Sequence, residues 1–169
     1  PNGNNLASCL SAGTPCATIA GAVAKAGFVN GDTINVAAGT YTGVTGFTTK
    51  GANIVGSGNV VLDGNNNGSF ATITVNGNIT VSLTNLTIRN GSSTLYGGGI
   101  GVVAGTVTTN NVVLRDNKGV NGAAAVVYQG ATLKMTGGSI VNNVATATSQ
   151  LNGGGGGVYV AGKAGAVPA

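Results

Sequence analysis

Apolar positions recur along this chain at a constant interval. Within Gly31 to Tyr41, GDTINVAAGTY, the alternating pair Ile34 and Val36 is matched 26 residues on by Val60 and Leu62. The same step then reaches Leu86 and Ile88, Val112 and Leu114, and Gly138 and Ile140. A second column in that register runs through Val55, Val81, Val107 and Leu133. Alternation over a few residues, closed by turn residues, is the pattern of a short half-buried strand. Repetition of that strand at a fixed longer period is the mark of a solenoid, in which no single unit buries its own apolar face.

A third series, Ile73 and Val75, Ile100 and Val102, Val126 and Tyr128, Val158 and Val160, advances by 27, 26 and 32 residues. The last step contains an insertion, Ala145 to Gly156, expected to bulge as a side loop without breaking the stack. Three short strands per turn, with no hexapeptide period, predict an all-β right-handed parallel β-helix of five to six coils. At ~4.8 Å per coil this is a rod roughly 25 to 30 Å long. The register offers no break, so residues 1–169 read as one domain, with a lead-in and capping segment over 1–30 and coils over 31–169.

Ahead of the coils the period changes. Thr14 followed by Pro15 reads as an N-cap and first helical position, and Gly27 as a stop. Between them Cys16, Ile19, Ala20, Val23 and Ala26 fall at helical spacing, predicting a short helix that covers the open end of the first coil. Just before the inward positions, Asn59, Asn85 and Asn111 form a column at one turn, read as a structural ladder of stacked amides.

Composition fits many turns around a modest core. Gly contributes 32 of 169 residues and charged residues only 6%, while the hydrophobic fraction of 42% is ordinary, which argues against disorder. The net charge of +4 comes from Lys and Arg dispersed along the chain. Nucleic-acid binders gather their cations into a patch, so nucleic acid is not expected as a partner. No apolar run is long enough for a membrane-spanning helix. The abrupt start at Pro1, without a charged leader and apolar core, leads to the expectation that any signal peptide has been removed or was not included. Cys9 and Cys16 are a local pair suited to a disulfide and an oxidising compartment; the alternative is two buried thiols.

The segment CATIAGAVAKAG with NGDTINVAAGTYTG resembles the capping helix and first coil of bacterial pectin-lyase-like β-helix proteins. LDGNNNGS, LTNLTIRNGSS, GGGI and GGGGGVYV resemble the repeats of polymorphic outer-membrane-type surface proteins. The resemblance spans Cys16 to Gly162 and implies the fold and a cell-surface or extracellular setting. It implies no reaction, because no lyase or hydrolase motif of such proteins is present to carry over.

Acid and base work on a glycosidic bond needs two facing carboxyl groups, and this chain has three Asp, no Glu and no His. The one local concentration of charge is Asp63, Arg89 and Arg115 on successive coils, with Asp116 beside Arg115. It reads as a neutralising surface ladder or, alternatively, as a lyase-like site with an Arg base and a calcium-holding Asp. Asp63 to Gly68 imitates the opening of a calcium loop, but its twelfth position is Thr74 where a bidentate Glu belongs, so an Asn- and Gly-rich turn explains it without metal. No catalytic residue, cofactor or metal is assigned. Outward Thr80 and Ser82, Thr106 and Thr108, and Thr132 and Lys134 form a hydroxyl array of the kind that can bind ice, although strands favour threonine in any case. Asn67, Asn78, Asn85 and Asn90 head N-x-Ser/Thr sequons, with Asn85 expected to be the least accessible.

The expectation for function is a non-catalytic extracellular structural β-helix. The final stretch, GGVYVAGKAGAVPA, starts a turn and shows no second capping segment, so strand edges are expected to be open for end-to-end self-association into a surface fibre. The alternatives are a carbohydrate-binding or adhesin fragment of a longer passenger domain, with surface glycans as partners, and a polysaccharide lyase or hydrolase.

Overall fold

The computed structural model describes residues 3–66, 68, 71–94, 97–146 and 155–161. It is a parallel β-solenoid of about four turns with one short helix. The first rung comprises β1 (Asp32–Val36), β2 (Gly39–Thr42) and β3 (Thr45–Phe47). The second starts with β4 (Ala52–Gly56) and β5 (Val60–Asp63). From there the long strands β6 (Ile73–Arg89) and β8 (Ile100–Arg115) bend around the corners, each supplying three faces. Then come β10 (Ala125–Val127), β11 (Thr132–Thr136), β12 (Ser139–Val141) and β14 (Val158–Val160). A small parallel sheet of β7 (Ser92–Ser93), β9 (Lys118–Gly119) and β13 (Val144–Ala145) flanks one corner.

Register defines three faces. On the second, Tyr41, Leu62, Ile88, Leu114 and Ile140 stack in one column. On the first, Ile34, Ile54, Leu83, Thr109 and Met135 do so. The third carries Phe47, Val75, Val102, Val127 and Val160. Each column therefore has five rungs, separated by four steps that span roughly 19 Å at ~4.8 Å per step. The structure thus has about four turns, one to two fewer than the five to six coils predicted.

Three sequence-based registers differ, the first two because a corner has an unexpected length. Ile34 lies beneath Ile54 and not Val60, and Tyr41 lies beneath Leu62. Between the position opposite Thr84 (Val55) and the start of β5 the second coil has four residues, Gly56 at the end of β4 and then 57–59, where the third coil has Asn85 alone. Asn53, Ile54 and Val55 oppose Ser82, Leu83 and Thr84, which puts Ala52, not Val55, beneath Val81. On the third face Ala125 and Val127, not Val126 and Tyr128, oppose Ile100 and Val102.

The inward columns make the core: Ile54, Leu83, Ile88, Ile100 and Leu114 are wholly buried. Helix α1 (Ile19–Val23) is shorter than predicted, and Thr18, not Thr14, is its N-cap, its hydroxyl accepting the Gly21 N–H at 3.0 Å. Ile19 is buried against the first coil, where a cavity of about 80 Å³ remains between α1 and residues including Tyr41, Val44 and Leu62. Cys9 and Cys16 form a disulfide, with a Cα–Cα distance of 5.0 Å. Asn5 ties this lead-in to the helix: its Oδ1 accepts the Ala17 and Thr18 N–H groups, and its Nδ2 donates to the Thr18 hydroxyl. Most of the predicted side loop, residues 147–154, lies outside the described residues, as do the last eight positions. Among the described residues no helix is long and apolar enough to cross a membrane.

Candidate functional site

The corner after the second face gathers a cluster of charged and amide side chains. A strand that turns sharply needs a residue in the left-handed region, where Asn and Asp are the tolerated non-Gly residues. Asn90, Asp116 and Asn142 occupy it on successive rungs, with φ of 51°, 55° and 54°. Asn65 and Asn66 take the same conformation in the wider second-coil turn.

Each left-handed residue delivers the following position into the interior, and there the structure builds an asparagine ladder that the sequence columns missed. Asn117 is completely buried. Its Oδ1 accepts the Gly91 N–H at 2.9 Å, and its Nδ2 donates to the Ile88 carbonyl at 3.2 Å and to Asn143 Oδ1 at 2.9 Å. Asn143 Oδ1 also accepts the Asn117 N–H at 3.0 Å, while Asn143 Nδ2 donates to the Leu114 and Val141 carbonyls. The 26-residue separation of Asn117 and Asn143 was available in the sequence; the signal was masked by the many other Asn residues.

The predicted ladder at Asn59, Asn85 and Asn111 is partial and lies on the surface. Asn85 and Asn111 are left-handed corner residues joined by an Asn111 Nδ2 to Asn85 Oδ1 bond of 3.0 Å. Asn59 does not join them, because in its longer turn Gly58 takes the left-handed position. Asn85 is exposed, contrary to the expectation for its sequon, whereas Asn90 is only partly exposed and its Nδ2 donates to Asp63. Asn78 is exposed, and Asn67 lies outside the described residues.

The charged residues separate into two independent pairs. Arg89 Nε donates to Asp63 Oδ2 at 2.8 Å, and Asp63 also accepts from Asn90 Nδ2 and from the Asn65 N–H. Burial pushes the Asp63 pKa up, but the Asn65 N–H, the Arg89 and Asn90 bonds and the Arg89 charge outweigh it, so the carboxyl is held below its ordinary range. Arg115 sits above Arg89, a like-charged neighbour, and pairs with Asp116 on its own rung. Asp63 and Asp116 thus do not converge on a shared point. Asp63, the first position of the calcium-like turn, already spends its carboxylate on Arg89 and Asn90. Among the described residues no three His, Cys, Asp or Glu side chains are grouped as metal ligands.

What remains open at this corner is a shallow groove of about 270 Å³ running across the rungs, lined by Asn66, Asn90, Asp116, Lys118, Asn142 and Val144. Its donors and acceptors are amides, one carboxylate and one ammonium. The fifth rung, the last of the described residues, presents apolar side chains: Val160 is 69% exposed and Val144 53%, with Ile140, Val141 and Val158 near 40%. Set against family models, curated proteins and solved structures, the chain matches none of them.

Proposed function

We propose that this chain is a non-catalytic structural β-helix of the extracellular or cell-surface kind, associating with further copies through the end of its stack as the subunit of a fibre. The observation that carries the reading is the fifth rung. Among the described residues, β11, β12, β13 and β14 each pair on one side only, and Lys134 is the one charge they carry. Natural sheet edges are blunted by charge, proline or a covering element, and an edge without them is a template for another chain. At the opposite end Ile34 and Tyr41 are only partly buried. Contact between unlike ends does not close on itself, and so grows filaments.

The disulfide is compatible with an oxidising setting, and the resemblance to pectin-lyase-like surface proteins points the same way. Asp63 and Asp116 are each paired with their own Arg, and the Asp63 carboxyl is held below its ordinary range rather than raised toward the pKa a general acid needs, which argues against turnover. A second reading, a glycan-binding module, rests on the polar groove at the corner. Sedimentation velocity over a wide concentration range tests the first reading. Growing assemblies in the wild type that dissolve in Val160→Lys support it, and a strict monomer throughout sinks it.

A further inference from the structure

The outward side of the first face is an array in constant register that is nearly uncharged. Thr80, Thr106 and Thr132 lie in one register column, and Ser82, Thr108 and Lys134 in the next. Register shifts on β6 are confined to Val75–Asn76 and Asn76–Thr80, so the pairing from Thr80 through Thr84 onward is unbroken. Parallel strands repeat at ~4.8 Å across the rungs, and alternate residues at roughly 6.6 Å along them. Threonine is β-branched and holds few rotamers, so its hydroxyl and methyl stay fixed on this grid. Ser82 and Thr108 bond to each other at 2.8 Å. Among the described residues the hydroxyls of Thr80, Thr84, Thr106, Thr132 and Thr136 have no hydrogen-bond partner, which leaves them for an external one.

The chemistry of the face selects among partners. A protein partner needs apolar or aromatic anchors, and a polyanion needs clustered cations. Here the nine outward positions of the last three rungs are hydroxyl or amide side chains apart from Lys134, with no aromatic ring to stack on a sugar. A rigid two-dimensional lattice of hydroxyls and methyls matches a surface that is itself a lattice of uncharged hydroxyl groups. We propose that this face binds the surface of ice, holding a row of ordered water between successive threonine columns. Lys134 interrupts one column, and its mobile, strongly hydrated ammonium limits the fit.

The test is ice-recrystallisation inhibition and single-crystal growth below the melting point, with purified wild type, Thr106→Lys and Lys134→Thr, each checked for β-sheet circular dichroism. The wild type is expected to suppress recrystallisation and facet the crystal. Thr106→Lys should lose that effect, and Lys134→Thr should strengthen it whether or not the first variant folds. A wild type that leaves ice growth unchanged overturns the proposal. So does an effect unaltered in a folded Thr106→Lys and in Lys134→Thr, or retention on crystalline cellulose or chitin without any effect on ice.

Discussion

Truncating Asn117 to alanine removes the buried ladder at its centre, and the cost follows from its bonds. Three partners lose their bond to this side chain: the Gly91 N–H, one lone pair of the Ile88 carbonyl and Asn143 Oδ1. Asn143 Oδ1 keeps the Asn117 backbone N–H and is not orphaned. A buried unsatisfied group costs about 1–3 kcal/mol. The Ile88 carbonyl belongs at the low end, because a carbonyl has a second lone pair for the strand ladder. Together with a small cavity the loss is about 3 kcal/mol, or a fall in Tm of roughly 6–12 °C for a chain of this size. Asn143→Ala, on the partly exposed last rung where water replaces the amide, should cost about 1 kcal/mol. Asn117→Asp should be at least as damaging as Asn117→Ala, since a carboxylate cannot donate and would face Asn143 Oδ1 and the Ile88 carbonyl. Urea unfolding followed by circular dichroism measures all three, with an unchanged m-value certifying the comparison. Equal losses in Asn117→Ala and Asn143→Ala would refute the reasoning.

Further outcomes follow from single sites. Thr109 stands in a core column between Leu83 and Met135 with its buried hydroxyl unpaired, so Thr109→Val should stabilise the protein by about 1 kcal/mol in the same urea assay. Asp63 has a folded pKa below its unfolded value, so its contribution is complete above about pH 4 and fades as pH falls through the folded value. Asp63→Asn should accordingly be less stable than wild type at neutral pH, with the gap closing in acid. Gly91→Ala would set a Cβ 1.9 Å from the Gly98 carbonyl oxygen and should prevent folding, whereas Gly46→Ala meets nothing within 4 Å and should be tolerated, as thermal melts of both will show.

The stacking period was legible because the third to fifth rungs of the first two faces keep corners of constant length. Leu86, Val112 and their partners were placed on the right columns for that reason. Where corner length varied, the same arithmetic failed: no composition signal says that four residues, 56–59, fill the place that Asn85 fills alone in the next coil. The slip from Ala125 to Val126 has another cause, since the uninterrupted apolar run from Ala123 to Val127 is buried throughout and alternation cannot choose its phase. At the corner, the pairing of Asp63 with Arg89 was readable from the 26-residue step. The inward turn of Asn117 was not, because it depends on the left-handed backbone of Asp116, a residue whose sequence context suggests only charge.

Hydrogen exchange at two protein concentrations tests end-to-end association most directly. If the fifth rung is the joining surface, amides of β11, β12 and β14 should exchange quickly in dilute solution and become protected as concentration rises, together with those of β1. Protection of the fifth rung that is already complete in dilute solution, or rapid exchange there that concentration does not slow, would contradict the account.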